Sequence, residues 1–382
     1  MKKIKVLPVF GTRPDAIKMA PLIRALRECE HIDLVVCSTG QHKEMLDQVL
    51  EVFGIKPDYD LKIMKPRQTL ESVTSDILNG FKEVLVKEKP DITLVHGDTN
   101  TCLSCALASF YNKVLCGHVE AGLRSFDKYL PFPEEMNRVL TGRMAEFHFS
   151  PTYENKKNLL NEGISPEHIY ITGNTSIDVV KNSVTPDYQF KNPFLREYDF
   201  SNKRVIAVTA HRRENIGEPL QDICYALLDT AKRFSDVEII YSVHMNPAVR
   251  EIVYPILRHE RIHLIDPTDV WDMHNLMGKS YMVVTDSGGL QEEGPALGKP
   301  VLVLRNETER QEAVLAGTVK LVGTDRNHVA ACCAELLDDQ DVYNKMARAV
   351  NPYGDGYASE RIVNAILYEF GILKQRPADF NP

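Results

Sequence analysis

Residues 285–298 read TDSGGLQEEGPALG and follow the apolar run YMVV at 281–284. This order predicts a short buried strand ending in Thr285-Asp286-Ser287, then two glycines, then a helix whose first turns carry Gln291, Glu292 and Glu293. Ser287, Gly288 and Gly289 would let a ligand approach the backbone, where the free N–H groups of a first helical turn attract an anion. Glu293 stands four residues after Gly289 on the same helix face, placed to accept two ribose hydroxyls. Diphosphate at the helix end and ribose on the glutamate describe a nucleotide-diphosphate site. The plainer alternative is an ordinary turn with a solvated acidic helix face.

Other polar clusters also fall just after apolar runs. In GTRPDAIKMAP (11–21), Gly11 suits a tight turn, Pro14 suits a helix start, and Arg13 and Lys18 offer positive charge to a phosphate. HGDTNT (96–101) presents Asp98, either as a helix cap or as a functional carboxylate. HVEAGLRS (118–125) carries Glu120 in an apolar context, where desolvation would raise its pKa and suit it to proton transfer. PFPEEMNR (131–138) opens a helix with Glu134 and Glu135, which alone read as ordinary dipole partners, and adds Arg138. TAHRRENIG (209–217) sets His211, Arg212, Arg213 and Glu214 in succession, and His211 is the histidine singled out for chemistry. SVHMNP (242–247) adds His244, and RNETERQEA (305–313) adds Arg310. Neither GxxxxGK[ST] nor GxGxxG occurs.

The elements that must position these residues are short β-branched runs alternating with longer amphipathic stretches. Strands are expected at 4–10, 33–37, 92–96, 113–119, 146–150 and 168–172, and again at 205–210, 237–243, 262–266, 281–285, 300–304 and 319–323. Helices are expected at 14–29, 69–88, 133–144, 217–234 and 325–336. Such alternation means right-handed βαβ crossovers and parallel sheets. The fold class is therefore α/β, with two Rossmann-like doubly wound domains facing across a cleft, about six strands in each. The stretch 181–203, with two prolines and mixed polarity, is read as part of the junction. Ligands of such folds bind beyond the carboxyl ends of the strands, where the clusters above fall.

Composition narrows the class. The chain has 382 residues, 43% hydrophobic and 26% charged, values typical of a soluble globular protein of two domains. A net charge of −8 without a long basic run argues against nucleic-acid and membrane-surface partners. No apolar stretch reaches the roughly 20 residues needed to span a bilayer. Eight cysteines show no CxxC and no metal-ligand spacing, so buried reduced thiols and a cytoplasmic location are expected.

Together FGTRPDAIKMAP, HGDTNT, HVEAGLR, PFPEEMNR, TAHRREN, VHMNP, DSGGLQEE, GKPVLVLR, AGTVKLVGT and NPYGDG resemble the bacterial non-hydrolysing UDP-N-acetylglucosamine 2-epimerases over nearly the whole chain. The resemblance implies a GT-B glycosyltransferase-type fold: a first domain over 1–180, a UDP-binding domain over 181–364, and a C-terminal helix at about 365–382 returning to the first. It implies interconversion of UDP-GlcNAc and UDP-ManNAc by inversion at C2, through UDP elimination to 2-acetamidoglucal and re-addition, with ManNAc supplied to cell-surface polysaccharide. Asp98, Glu120, Glu134 and His211 are then the catalytic residues. Arg13, Lys18, Met273, Ser287, Gly288, Gly289, Glu293 and Arg310 bind substrate. A second, regulatory UDP-GlcNAc would use Gln41, Arg67, Arg212 and His244 beside Glu134. Glu44, Asp15, Thr268, Met273 and Gln311 depart from the family pattern, Thr268 and Met273 in a loop expected over the uracil. No hydride moves, so neither NAD nor metal is implied, and the protein is expected to be a homodimer. The alternatives are a GT-B UDP-sugar glycosyltransferase, a hydrolysing epimerase and a non-catalytic sugar-nucleotide sensor.

Overall fold

The computed structural model describes residues 2–40, 50–65 and 67–382. It divides into two compact units, Met1–Val179 with Tyr353–Asn381, and Val180–Pro352 with Pro382.

In the first unit, strands β1 (Ile4–Phe10), β2 (Ile32–Leu34), β3 (Cys37–Ser38), β4 (Tyr59–Asp60), β5 (Ile92–His96), β6 (Leu115–Val119), β7 (Phe147–Ser150) and β8 (Ile169–Ile171) form one parallel sheet. Its order is β4-β3-β1-β5-β6-β7-β8, with β2 also on β1. The count exceeds the expected six because the run 33–37 is interrupted and a further strand joins at Tyr59. On the edge of that run facing away from β1, the Asp58 carboxylate accepts the Val36 amide at 2.8 Å, while the Val35 and Thr39 amides donate to Val6 and Phe10 of β1. Alternate residues of β1 enter opposite cores. Ile4, Val6 and Phe10 pack with the helices Arg13–Glu28 and Ala358–Glu369, whereas Leu7 and Val9 pack with Leu70–Glu88 and Asn100–Tyr111. Both faces are thus covered, as a buried parallel sheet requires.

The second unit holds β9 (Arg204–Thr209), β10 (Val237–Ser242), β11 (Ile262–Ile265), β12 (Met282–Thr285), β13 (Val301–Val303) and β14 (Val319–Leu321), all parallel, in the order β11-β10-β9-β12-β13-β14. The direction of winding reverses between β1 and β5 in the first unit and between β9 and β12 in the second. Ligands of doubly wound sheets bind at such points.

Two expectations need correction. The stretch 181–203, expected as part of the junction, is built into the second unit. Phe190 and Leu195 are buried there with Val205, Ile240 and Leu276, and buried Asp272 accepts from the Lys191 and Asn192 amides at 2.9 and 2.7 Å. The returning C-terminal helix is Ala358–Glu369, not 365–382; beyond it the chain runs irregularly along β8, where the Phe380 amide donates to the Ile171 carbonyl at 2.7 Å. Seven of the eight cysteines are buried and none is in a disulfide. Among the described residues no helix is long and apolar enough to cross a membrane.

Candidate functional site

In the first unit the polar clusters stand at neighbouring strand ends. Gly11 follows β1, but not for the tight turn expected of it. A Cβ there would lie 2.1 Å from Thr101 Oγ1 and 2.3 Å from Thr39 Oγ1, two hydroxyls bonded to each other at 2.9 Å, so only glycine fits. Thr12 then caps the helix Arg13–Glu28 in a capping box with Asp15. Arg13 is half-buried and makes no hydrogen bond or ion pair among the described residues.

Lys18, one turn further, is not directed at the helix entrance. Its ammonium pairs with the carboxylate of Glu120, which also accepts from Asn174 Nδ2 at 3.0 Å. The apolar setting expected for Glu120 is therefore not found: the carboxylate is partly buried, and among polar partners. Glu120 follows β6 with φ 64°, a left-handed conformation rarely held without supporting contacts. Opposite it, His96 ends β5 with Nε2 3.8 Å from Glu120 Oε2 and no hydrogen bond on either ring nitrogen. Burial pushes His96 down to about 4, against the pull of Glu120, so the ring is neutral at physiological pH.

The question of whether Asp98 is a cap is settled by its neighbour. Thr99 caps the helix Asn100–Tyr111, accepting from Cys102 N at 3.3 Å. Asp98 Oδ2 instead receives Arg138 Nε and Nη2 at 2.9 and 2.6 Å, and Asn137 Nδ2 donates to its carbonyl at 2.8 Å. Glu135 is structural: it accepts the Ser125 and Phe126 amides at 3.0 Å each and holds Arg138 Nη1 at 3.1 Å. Glu134, half-exposed on the same first turn, makes no hydrogen bond or ion pair among the described residues. Asp15 is buried near Asp98; burial raises its carboxyl to about 6, with Asp98 adding to the rise and Thr12 and Thr99 opposing it.

In the second unit, β9 and β12 place their following residues side by side. The amides of His211 and Arg212 both donate to Asp286 Oδ2 at 2.8 Å, and Asn215 Nδ2 joins at 3.1 Å. Asp286 is fully buried; its Oδ1 has no hydrogen-bond partner and lies 3.9 Å from His211 Nδ1. Burial lowers the pKa of His211 against the pull of Asp286, and its ring stacks on His244 with centroids 4.8 Å apart. Arg212 reaches Glu214 at 3.5 Å and Glu309 at 3.8 Å.

Gly288 and Gly289 precede a helix that begins only at Leu290 and runs to Ala296. A Cβ on Gly288 would meet Arg310 Nη1 and Glu309 Oε1, each at 3.2 Å; one on Gly289 would lie 3.4 Å from Glu293 Oε1. Arg310 is held over this turn by Glu292 at 3.0 Å and Glu309 at 2.5 Å. Burial pushes the Glu309 carboxyl up, but Arg310 and Arg305 outweigh it and hold it at about 2. Ser287 donates its amide to Thr285 Oγ1 at 3.0 Å. Met273 lies not in a loop but in the helix Val270–Lys279, capped by Asp269, and is partly buried against Leu276 and its neighbours. Of the regulatory candidates, Gln41 lies outside the described residues, as does Glu44. Arg67 is exposed in the first unit, and Arg212 and His244 flank His211 in the second.

The structure thus brings together Lys18 with Glu120, Asp98 with Arg138, and His211 with Arg212 and His244. Around the glycine turn it gathers Ser287, Gly288, Gly289, Glu293 and Arg310. The sequence reading missed Asp286, Asn174, His96 and His274. Asp286 and Asn174 carry a usable signal, since each directly follows or nearly follows a strand; His274, in mid-helix, carries none.

Comparison with known proteins adds the family. The family model for UDP-N-acetylglucosamine 2-epimerase matches residues 24–367. The UDP-N-acetylglucosamine 2-epimerase of Bacillus subtilis is 51% identical over 381 residues, covering 100% of this chain and 99% of the relative. The crystal structure of UDP-GlcNAc 2-epimerase from Neisseria meningitidis bound to UDP-GlcNAc superposes with a TM-score of 0.84 at 47% identity, over 96% of this chain and 100% of that one. That of Methanocaldococcus jannaschii in complex with UDP-GlcNAc and UDP gives 0.74 at 34% identity, over 96% and 100%. With two parallel α/β units, this geometry and relatives matched end to end, the chain belongs to the UDP-N-acetylglucosamine 2-epimerase family.

Proposed function

We propose that the protein interconverts UDP-GlcNAc and UDP-ManNAc without releasing the sugar. A base removes the C2 proton while the C1–O bond to UDP breaks, its electron pair leaving with the diphosphate and a C1–C2 double bond forming. The resulting 2-acetamidoglucal takes a proton at C2 on the other face, and UDP returns to C1. Charge, atoms and protons balance without hydride transfer.

The observation that carries this reading is the pair of carboxylates at adjacent strand ends, Glu120 held by Lys18 and Asp98 held by Arg138. Each faces its cation and is fixed in direction, as a proton-transfer group must be. With Glu134 they handle the C2 proton on its two faces. The charge developing on the departing UDP needs preorganised cations and donors, assigned here to Arg13, Lys18, His211 and the Ser287–Gly289 turn. Arg310 adds to nucleotide binding at that turn, Glu293 takes the ribose and Met273 is assigned to the base. The same reading includes a regulatory UDP-GlcNAc on Arg67, Arg212 and His244, a homodimer in the cytoplasm, and supply of ManNAc to surface polysaccharide.

The test is NMR of the protein with UDP-GlcNAc in D₂O. UDP-ManNAc carrying deuterium at C2 is the expected product. Free ManNAc with UDP would instead mean hydrolysis, and an unchanged spectrum would favour a transferase or a sensor.

A further inference from the structure

Glu293 does not stand alone. Its Oε2 lies 3.3 Å from His274 Nε2, and His274 Nδ1 lies 2.6 Å from Ser183 Oγ. Both partners are almost wholly buried, His274 at 1% and Ser183 at 4% exposure. Three elements contribute: His274 comes from mid-helix in Val270–Lys279, Ser183 ends the helix Thr175–Ser183, and Glu293 lies in the helix Leu290–Ala296. The next residue of the first helix, buried Asn275, grips the same chain segment, donating to the Ser183 carbonyl at 2.8 Å and accepting the Thr185 amide at 3.3 Å. Ser183 is therefore fixed from two sides.

Hydrogen accounting restricts the arrangement. A neutral His274 carrying its proton on Nδ1 would set a bare Nε2 against a carboxylate oxygen, two acceptors in a buried space. Ser183 Oγ also lies 3.1 Å from the Val180 carbonyl, so two arrangements remove that conflict. In one, the Nε2–H tautomer, the one hydroxyl proton is shared between Nδ1 and that carbonyl. In the other, the doubly protonated ring, Nδ1–H donates to Oγ and the hydroxyl donates to Val180. Both place an N–H on Nε2 pointing at Glu293 Oε2. The carboxylate is then held in one rotation, with Oε1 turned toward the side-chain-free Gly289.

We propose that Ser183 and His274 are positioning residues that fix the Glu293 carboxylate for a cis-diol, and so set the preference of this site for a ribonucleotide over a 2′-deoxyribonucleotide. A carboxylate accepts two vicinal hydroxyls only when both oxygens face them, and a freely rotating side chain loses that geometry. The inference rests on the reading of Glu293 as the ribose acceptor.

The test is calorimetric titration of the full chain with UDP and with 2′-deoxy-UDP. Wild-type protein should prefer UDP by about tenfold or more, the worth of a hydrogen bond to a charged group. Glu293→Gln should bring the two affinities close together. His274→Leu should lose most of the preference by weakening UDP while leaving 2′-deoxy-UDP binding nearly unchanged, which also reports an intact site. Ser183→Ala should lie between, and His274→Gln, which keeps a donor toward Glu293, should recover part of the preference. Should His274→Leu bind neither nucleotide, Ser183→Ala and His274→Gln decide by the same ratio. A wild-type ratio in the His274 and Ser183 variants, with the ratio lost in Glu293→Gln, overturns the positioning role alone. A wild-type ratio in Glu293→Gln overturns the ribose reading, and the inference with it.

Discussion

Single residues here are defined by their partners. Glu120→Gln keeps the Asn174 contact but removes the negative charge that Lys18 faces; Asp98→Asn does the same opposite Arg138. Each should lower kcat by about 10²-fold or more, the usual worth of a positioned proton carrier, while UDP binding by calorimetry stays within a few-fold of wild type. Turnover near the wild-type rate in either variant would remove that residue from the chemistry. Asp15 makes a different prediction. Burial raises its folded carboxyl from 3.8 to about 6, so the folded state binds more protons than the unfolded one between those values. The stability that Asp15 itself contributes is therefore lost as pH rises through 6. Asp15→Asn, which can still accept from Thr12 and Thr99, should be the more stable protein at pH 8 by urea titration, with the gap closing toward pH 4.

At the scale of elements, three adjacent strands of the first sheet carry buried histidines. His96 ends β5, and His118 of β6 pairs in register with His148 of β7. Burial is the leading cause in all three, lowering His96 and His118 to about 4 and His148 to about 3. With folded values below the unfolded 6.5, their stability is intact above 6.5 and is lost as pH falls through 6.5 toward 4. At pH 5 this amounts to ~2 kcal/mol for each residue, in proportion to the protons the unfolded chain has taken up. Asp15 and Asp178, both raised by burial, act in the opposite direction, two carboxyls against four histidines with His211 included. The urea midpoint should accordingly fall between pH 7.5 and 5, and His148→Phe, whose Nδ1 has no partner to lose, should flatten that fall. An equal drop in wild type and variant would show that other groups control acid stability.

At the scale of the whole molecule, the first unit is assembled from both ends of the chain. Ile362, Val363, Ala365, Ile366 and Leu367 return from the C-terminal side and are buried with Ile4, Val6, Leu22, Ile23 and Leu26. At ~2 kcal/mol for each large aliphatic side chain, the four larger returning residues supply burial comparable with the net stability of a domain. A chain ended after Pro352 should therefore bind a hydrophobic dye and lose cooperative urea unfolding in its first unit, whereas a chain ended after Phe370 should keep both properties nearer to wild type. Cooperative unfolding of the shorter chain would mean that the returning helix is dispensable.

The sequence by itself determined the alternation of strands and helices, and hence two doubly wound units. It also determined which polar residues stand just beyond strand ends, because side-chain periodicity and turn chemistry are local properties. The glycine turn at 287–289 and Glu293 were legible for the same reason. Only the tertiary structure decided which group each charge meets. Lys18 reaches Glu120 across 102 positions of chain, Arg138 reaches Asp98 across 40, and the His211 amide reaches Asp286 across 75. Sheet order brings those strand ends side by side, and no spacing along the chain records it. The same holds for His274: nothing in its place along the chain marks it, and only the packing of three helices turned its ring toward Glu293 and Ser183.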